Sequence, residues 1–514
     1  MSIFTGKDIR KDLSLSCDVC VVGSGAGGAH VAERLAAAGK RVVILEEGGY
    51  HKSEEFNLNE LDMYGLLYQE RANRATTDLS IGILQGRAVG GTTVINWTTC
   101  FRTPEPVFKY WAEHFGIEEL NYQALVPHWE KIEQRLNVQE VPFESVNRNN
   151  RVLWDGATKL GWEPKLLRRN VKDCFKLGYC GTGCAVDAKQ SMLVTMVPDA
   201  VRAGADLYAN AWVERVETSG RKVSKVIARV LDPKSEKKNG MTITVEAGQV
   251  VLSGGGINNP GVLLRSGVGN SNGRVGKRTF LHPACATAAI LPDVVEPYYG
   301  APQSVSCHRF ARWEGGAMGY FLEVGPMHPM LAGLAAGGFG KSLQGTMEKL
   351  KYINATIAIL IDGFDPTDLD EGATVGIRPN GRPQVDYKWT PRLIEAIRAG
   401  TKSCAQAQLA GGAVEVTTSH TEPISIQSEA ELAKLDRADF GPNRAKVFCA
   451  HVMGGCAMGE DPQTSVVDPH LRHHEFDNLF VIDGSVFPTS LGVNPQLSIY
   501  GLASWGAEWV KRAG

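Results

Sequence analysis

Long apolar runs are missing from this sequence. No stretch approaches the roughly 18 consecutive apolar residues that a transmembrane helix needs, so we expect no membrane span. The first residues, MSIFTGKDIRKDLSL, hold neither an apolar run of signal-peptide length nor a small-residue cleavage site. We therefore expect a cytoplasmic protein, while a periplasmic or membrane-associated location stays open if a partner carries the chain there.

An excess of charge of one sign is also missing. The 54 Lys and Arg residues nearly balance the 56 Asp and Glu residues, so the formal net charge is −2. This balance gives no electrostatic case for binding nucleic acid or an anionic membrane. The 514 residues exceed the length at which a single hydrophobic core keeps growing, and their composition is typical of globular proteins. The sequence therefore predicts two domains.

The most informative motif follows a short apolar strand at residues 17–22. The chain runs into a glycine-rich turn, Gly23-Ser-Gly25-Ala26-Gly27-Gly28, then into a helix and a second strand, RVVIL, that ends at Glu46. This order is typical of a dinucleotide-binding fold. Gly23 allows the turn, Gly25 and Ala26 let backbone approach a pyrophosphate, and Gly28 permits close packing. Glu46 is expected to bind the adenosine ribose and to disfavour a 2′-phosphate.

Further segments favour a flavin over a nicotinamide. A second glycine turn contains Gly90, Gly91 and Asn96, and a strand near the C-terminus ends in Asp483 and Gly484, before Asn494 and Pro495. The strand-like run around Val213 is expected to lie against the adenine. Together with the strand and turn at residues 250–269, these segments resemble the glucose–methanol–choline (GMC) family of FAD-dependent oxidoreductases, nearest to its bacterial alcohol dehydrogenases and long-chain alcohol oxidase-like members.

The resemblance implies an α/β protein with a Rossmann-like FAD-binding domain and a substrate domain built on an antiparallel sheet with helices. We predict a discontinuous FAD domain at residues 1–105, 190–290 and 441–514. The substrate domain then takes residues 106–189 and 291–440. Within the latter, residues 325–340 are apolar and small, which fits a mobile lid, a membrane-contacting patch or a buried hairpin equally well.

The resemblance also implies the catalytic pair. The family's active-site histidine matches His451 in the segment HVMGGCAMG, and its partner before a proline matches Asn494. Oxidation of an alcohol by hydride transfer to flavin N5 requires loss of the hydroxyl proton. His451 is suited to accept that proton or to hold the alkoxide, and Asn494 to position the oxygen. For most other histidines, including His282, we predict a satisfied core position.

Two features depart from the family pattern. Some relatives tether FAD covalently through a histidine, but Ile95 stands at that position, so we predict non-covalent FAD. Cys174, Cys180 and Cys184 resemble a cysteine-rich insert that holds an iron–sulfur cluster in some relatives. Free thiols, a Cys180–Cys184 disulfide and a zinc site remain as alternatives.

The substrate and the electron acceptor are less defined by the sequence. Trp97, Met453 and Tyr500 near the predicted site favour an apolar or aromatic alcohol over a sugar. Electrons would pass to a quinone, a cytochrome or oxygen. Two other functions stay open: a GMC-type hydroxynitrile lyase, which does no net redox chemistry, and a flavin-bearing electron-transfer subunit without catalysis of its own.

Overall fold

A computed structural model describes residues 2–336, 338–368 and 370–514 of the chain. Its strands, in chain order, are β1 (Ser2–Phe4), β2 (Leu13–Val22), β3 (Val42–Glu46), β4 (Ile81–Ile83), β5 (Val138–Glu140), β6 (Lys165–Leu166), β7 (Arg168–Asn170), β8 (Asp206–Ala209), β9 (Ala211–Ser219), β10 (Lys222–Leu231), β11 (Lys238–Leu252), β12 (Thr279–Phe280), β13 (Ala284–Ile290), β14 (Val305–Cys307), β15 (Gly319–Val324), β16 (Ile353–Ile361), β17 (Ala373–Ile377), β18 (Pro383–Tyr387), β19 (Glu415–Thr418), β20 (Ser425–Ile426), β21 (Val447–Cys449), β22 (Met453–Gly454) and β23 (Leu479–Val481).

The α-helices are α1 (Ala26–Ala37), α2 (Glu60–Leu67), α3 (Glu105–Phe115), α4 (Tyr122–Arg135), α5 (Arg148–Lys159), α6 (Met196–Arg202), α7 (Gly255–Ser266), α8 (Pro329–Ala336), α9 (Lys341–Glu348), α10 (Pro391–Ala410) and α11 (Gln496–Ala513). Within the described ranges, no helix is both long and apolar enough to span a bilayer.

The first sheet has the order β1-β8-β3-β2-β11-β10-β9, and β23 pairs with β11. Its centre is parallel, because β2 pairs in parallel with both β3 and β11. All five residues of β3 are buried, as expected for a parallel strand that is covered on both faces. The carboxyl end of β2 runs into α1, so the predicted glycine turn lies at the edge where parallel sheets bind ligands.

The second large sheet has the order β20-β19-β13-β16-β15-β14-β6, with β21 joining β13 to β4. Its main pairs, β13–β16 and β15–β16, are antiparallel. The long helix α10 packs on this sheet against β13 and β16. The α/β fold with a Rossmann-like sheet and a second, antiparallel layer is therefore confirmed. The exact domain boundaries stay a prediction, and the second sheet takes β4, β13 and β21 from ranges assigned to the FAD domain.

Close packing of α1 depends on its glycines. A Cβ on Gly27 would lie 2.0 Å from the carbonyl oxygen of Ile482, and one on Gly28 would lie 2.0 Å from that of Gly23. Because a side chain at either position would clash, glycine is what allows the N-terminus of α1 to lie this close to the sheet, as predicted for Gly28. A four-stranded sheet, β18-β17-β12-β22, and the β5–β7 pair complete the fold.

Candidate active site

One cavity of about 1180 Å³ joins the glycine turn to the predicted catalytic pair. Its volume exceeds the roughly 300–1,000 Å³ common for small-molecule pockets, which leaves room for a dinucleotide and a substrate together. Both sheets contribute to its walls. The predicted residues that line it are Gly23, Gly25, Ala26, Glu46, Gly91, Asn96, Val213, His451, Asp483, Gly484, Asn494 and Pro495.

Two glycines form a slot at the N-terminus of α1. A Cβ on Gly91 would lie 2.7 Å from Cα of Gly25, and Gly91 has a φ of +57°. Gly25 is the N-cap of α1 but supplies no side-chain cap, so backbone N–H groups at this end are left for a ligand. A helix N-terminus beside a narrow backbone slot suits a pyrophosphate group.

Glu46 lies at the end of β3 beside this slot. Its carboxylate accepts hydrogen bonds from the backbone N–H of Ser24 at 2.9 Å, the Ser24 hydroxyl at 2.7 Å and the N–H of Gly48 at 2.8 Å. Burial raises its pKa. Glu46 therefore shapes the glycine turn as well as lining the cavity, and the hydroxyl of Ser24 also accepts a bond from the N–H of Gly90.

Asp483 holds the opposite wall. One carboxylate oxygen accepts the N–H of Gly255 at 2.6 Å and the side-chain amide of Asn259 at 2.9 Å, and the other accepts the N–H of Ser485 at 2.8 Å. Asp483 thereby joins the start of α7 to the end of β23. Asp483 therefore stabilises the cavity wall through these hydrogen bonds.

Several predicted residues do not face the cavity. Gly28 and Gly90 lie behind its wall and support the turn. Of the three side chains used to predict an apolar substrate, Trp97 lines the cavity, whereas Met453 and Tyr500 are fully buried elsewhere in the core. Met453 and Tyr500 therefore supply no surface that would contact a substrate.

The structure does not support an iron–sulfur or zinc site at Cys174, Cys180 and Cys184. In the described parts of the chain, no group of three or more His, Cys, Asp or Glu side chains is arranged to hold a metal, and all eleven cysteines are free thiols. Cys180 lies 3.6 Å from the Arg169 guanidinium, and Cys184 accepts a hydrogen bond from the backbone N–H of Lys189.

The buried residue Lys189, which follows the three cysteines in the chain, connects the cysteine segment to the cavity wall. The ammonium of Lys189 donates to the carbonyl oxygens of Val94, Asn96 and Cys180 at 2.6–2.9 Å, and burial lowers its pKa to about 8. These bonds fasten the segment to the loop at residues 94–96 that lines the cavity. The segment braces the site through backbone contacts, which cysteine spacing does not reveal.

The catalytic pair predicted from the sequence meets in the cavity. Nδ2 of Asn494 lies 3.4 Å from Nε2 of His451 and donates a hydrogen bond at 3.2 Å to a carboxylate oxygen of Glu323. Burial lowers the pKa of His451 to about 4, so its ring is neutral at ordinary pH. The pair therefore faces the cavity with polar but uncharged groups.

Glu323 is a site residue that the sequence interpretation missed. It is fully buried on β15, where its Oε2 also accepts the side-chain amide of Gln303 at 2.6 Å. The Thr99 hydroxyl fixes the orientation of that amide by donating to Gln303 Oε1 at 2.7 Å. Burial raises the pKa of Glu323 to about 8. Among the described residues, its Oε1 has no hydrogen-bond partner, although Glu323 lines the cavity.

One part of the cavity wall is apolar and is formed by two helices. Side chains of α2 and α8 line it together with the residues before α8, namely Leu61, Tyr64, Met327, Met330, Leu331 and Leu334. Glu60 at the start of α2 accepts the N–H groups of Met330 and Leu331 at 2.6 and 2.9 Å. Lys446 donates to the last carbonyls of α8. Both charges complement the dipole of α8, which lies in the segment for which a lid was one alternative.

We expect Glu60→Gln to loosen α8, because the substitution removes the negative charge that two backbone N–H groups share. Amide hydrogen exchange at Met330 and Leu331 should become at least about fivefold faster, since charge-assisted bonds of this kind contribute roughly 1 kcal/mol. Asp62→Asn on the same helix is the matched control and should leave these amides unchanged. Equal protection of α8 in both variants would contradict this role for Glu60.

Comparisons with known proteins match two separate parts of the chain. A family model described as GMC oxidoreductase, N-terminal part, matches residues 64–284, and its C-terminal counterpart matches residues 374–503. An uncharacterised GMC-type oxidoreductase of Mycobacterium tuberculosis is 34% identical over 95% of this chain and 74% of its own length. A long-chain-alcohol oxidase of Arabidopsis thaliana is 29% identical over 95% of this chain and 66% of its own length.

A solved structure shows the same fold. The crystal structure of pyridoxine 4-oxidase from Mesorbium loti superposes with a TM-score of 0.70 over 96% of this chain and 99% of that chain, at 18% sequence identity. At this identity the likeness describes the fold alone.

Proposed function

The chain belongs to the GMC oxidoreductase family, and from that premise we propose that it oxidises the hydroxyl carbon of an apolar alcohol to a carbonyl. The observation that carries the proposal is the group of His451, Asn494 and Glu323 in a cavity whose wall at α2 and α8 is apolar. The likeness to a long-chain-alcohol oxidase supports the same class of substrate.

The cavity residues fit FAD. The slot between Gly25 and Gly91 would hold the pyrophosphate at the N-terminus of α1, Glu46 would meet the ribose, and Val213 would lie near the adenine. Asn96, Gly484 and Pro495 would surround the flavin end. Bound FAD supplies the acceptor for the hydride that leaves the alcohol carbon. Ile95 lines the cavity without a group that could bond covalently to the cofactor.

We infer that the polar end of the cavity holds the substrate oxygen and removes its proton. Asn494 and His451 present their side-chain nitrogens 3.4 Å apart, where one oxygen can lie against both. Glu323 Oε1 is suited to take the hydroxyl proton, because the pKa of a general base works best near the operating pH. With a pKa of about 8 this carboxylate is a far stronger base than the ring of His451, whose pKa is about 4.

The apolar wall formed by α2 and α8 is expected to select alcohols by their hydrocarbon length. Each methylene that leaves water contributes about 0.8 kcal/mol, which raises kcat/KM about fourfold until the cavity is filled. We expect kcat/KM to rise from butanol through hexanol and octanol to decanol, with glucose a poor substrate. A flat series, or glucose turning over faster than decanol, would refute the proposed substrate class. His451→Gln protein supplies the background rate.

A further inference from the structure

Two histidine rings meet at an interplanar angle of 74° in the cavity wall. Nδ1 of His282 lies 3.3 Å from Nδ1 of His451. The other nitrogen of His282, Nε2, accepts a hydrogen bond from the backbone N–H of Gly492 at 3.0 Å. His282 is almost completely buried, as predicted for a core histidine, but one of its partners is the ring that faces the substrate site.

The backbone N–H of Gly492 decides where the protons lie. A backbone N–H can only donate, so Nε2 of His282 carries no proton. Because burial and the neighbouring ring of His451 lower the pKa of His282, its ring is neutral and the single ring proton must lie on Nδ1. This proton points at Nδ1 of His451, which must then be the acceptor. The neutral ring of His451 therefore carries its own proton on Nε2.

This assignment explains the contact between His451 and Asn494. With Nε2 of His451 protonated, the two nitrogens that lie 3.4 Å apart are both donors and do not bond to each other. Because Nδ2 of Asn494 has a second hydrogen besides the one donated to Glu323, both nitrogens can donate to one acceptor that lies between them in the cavity. An alcohol or alkoxide oxygen is such an acceptor, and its proton then leaves toward a group other than His451.

The buried carboxylate of Asp362 holds His282 in a backbone conformation that is unfavourable for a residue other than glycine. His282 has a φ of +46°, which is uncommon for a residue other than glycine. Asp362 stabilises this turn by accepting the N–H of Leu281 at 3.1 Å and that of His282 at 3.3 Å. The hydroxyl of Tyr387 donates to the same carboxylate at 2.9 Å. Strained backbone conformations of this kind cluster at functional sites in other proteins.

We propose that His282 is a positioning residue that keeps the ring proton of His451 on Nε2, so that His451 and Asn494 act as paired donors to the substrate oxygen. The role of the two donors toward a substrate oxygen rests on the proposed function. The position of the ring proton of His451 does not depend on the substrate. Wrong tautomers of active-site histidines, and lost outer partners of such rings, reduce turnover strongly in other enzymes.

Nitrogen NMR of the FAD-loaded protein tests the proposal directly. In protein labelled with ¹⁵N-histidine, the signals of His451 are identified by their absence from His451→Gln, and their shifts report which nitrogen is protonated. We expect Nε2 to be protonated and Nδ1 to be free. Protonation of His451 on Nδ1 in the wild-type protein would overturn the proposal, whichever substrate the enzyme takes.

Two matched variants test the consequence for turnover. The amide nitrogen of an Asn side chain lies where Nδ1 of His282 lies, and Asn tolerates positive φ, so His282→Asn keeps the donor toward His451. The amide of Gln reaches the position of Nε2 and leaves Nδ1 of His451 without its donor. We expect His282→Gln to lose the Nε2–H form and at least about tenfold in kcat, with KM changed less than about threefold.

The tautomer and most of the lost turnover should return in His282→Asn. Wild-type kcat together with unchanged His451 nitrogen signals in His282→Gln would overturn the proposal. It would also be overturned if His282→Asn recovered neither the Nε2–H form of His451 nor the lost kcat. If the wild-type protein oxidises no alcohol, the proposed function fails, while the nitrogen shifts still decide the role of His282.

Discussion

Replacing Glu323 by Gln should reduce kcat about 100-fold to 10,000-fold, because the substitution removes the group proposed to take the hydroxyl proton. The pH profile should change with it. The base is active only when ionised, so wild-type kcat/KM should rise with pH up to about 8 and then level off. In Glu323→Gln this rise should disappear. Stopped-flow reduction of the bound flavin by decanol measures both effects.

Folding of the Glu323→Gln variant provides the control. A carboxyl whose folded pKa is raised holds its proton better in the folded state, so its contribution to stability is lost as pH rises from about 4.5 toward 8. Gln carries no such penalty, and the variant should melt at or above the wild-type temperature at pH 8. Wild-type turnover and an unchanged pH profile in Glu323→Gln would exclude Glu323 as the base.

Gly25→Val should fold and fail to hold FAD. The Cβ of residue 25 would meet nothing closer than Cα of Gly91 at 3.7 Å, and the backbone at Gly25 has a φ of −74°. The protein itself therefore has room for a Cβ there, and the methyl groups of Val would extend into the slot proposed for the pyrophosphate. We expect FAD affinity to fall at least 100-fold, which equals a loss of about 2.7 kcal/mol of ligand-derived stability at matched FAD concentration.

Gly345→Val is the matched control for this prediction, because a Cβ at Gly345 lies in open space on α9, away from the cavity. It should retain FAD and the thermal stabilisation that FAD confers. Full FAD content in purified Gly25→Val, measured by absorbance against protein concentration, would place the pyrophosphate elsewhere.

The parts of the site that the sequence predicts are those encoded in continuous motifs. The turn from Gly23 to Gly28 and the strand that delivers Glu46 are adjacent in the chain, so local pattern is enough. Glu323 lies on β15 and His282 just before β13, and β16, which pairs with both strands, brings these two parts of the chain to the same cavity. One available signal was the lone carboxylate in the apolar strand GYFLEV, since a buried ionisable group requires a reason.

Spacing was a poor guide where side-chain direction decides the outcome. Cys174, Cys180 and Cys184 are close in sequence and Cys180 lies near both others, yet the described residues hold no group of three or more side chains arranged to bind a metal. Tyr500 follows the catalytic segment by a few residues, yet it lies on the buried face of α11 and donates to Gln496. Neither a metal cluster nor a substrate contact can be inferred from proximity along the chain alone.

Anaerobic titration of the FAD-loaded protein with decanol tests the central claim most directly. If the chain oxidises apolar alcohols, the visible absorbance of the oxidised flavin should fall as decanol is added, with decanal formed in equal amount. A hydroxynitrile lyase or an electron-transfer subunit would leave the spectrum unchanged. An unchanged spectrum with decanol and every other alcohol tried, in protein that dithionite still bleaches, would contradict the proposed function.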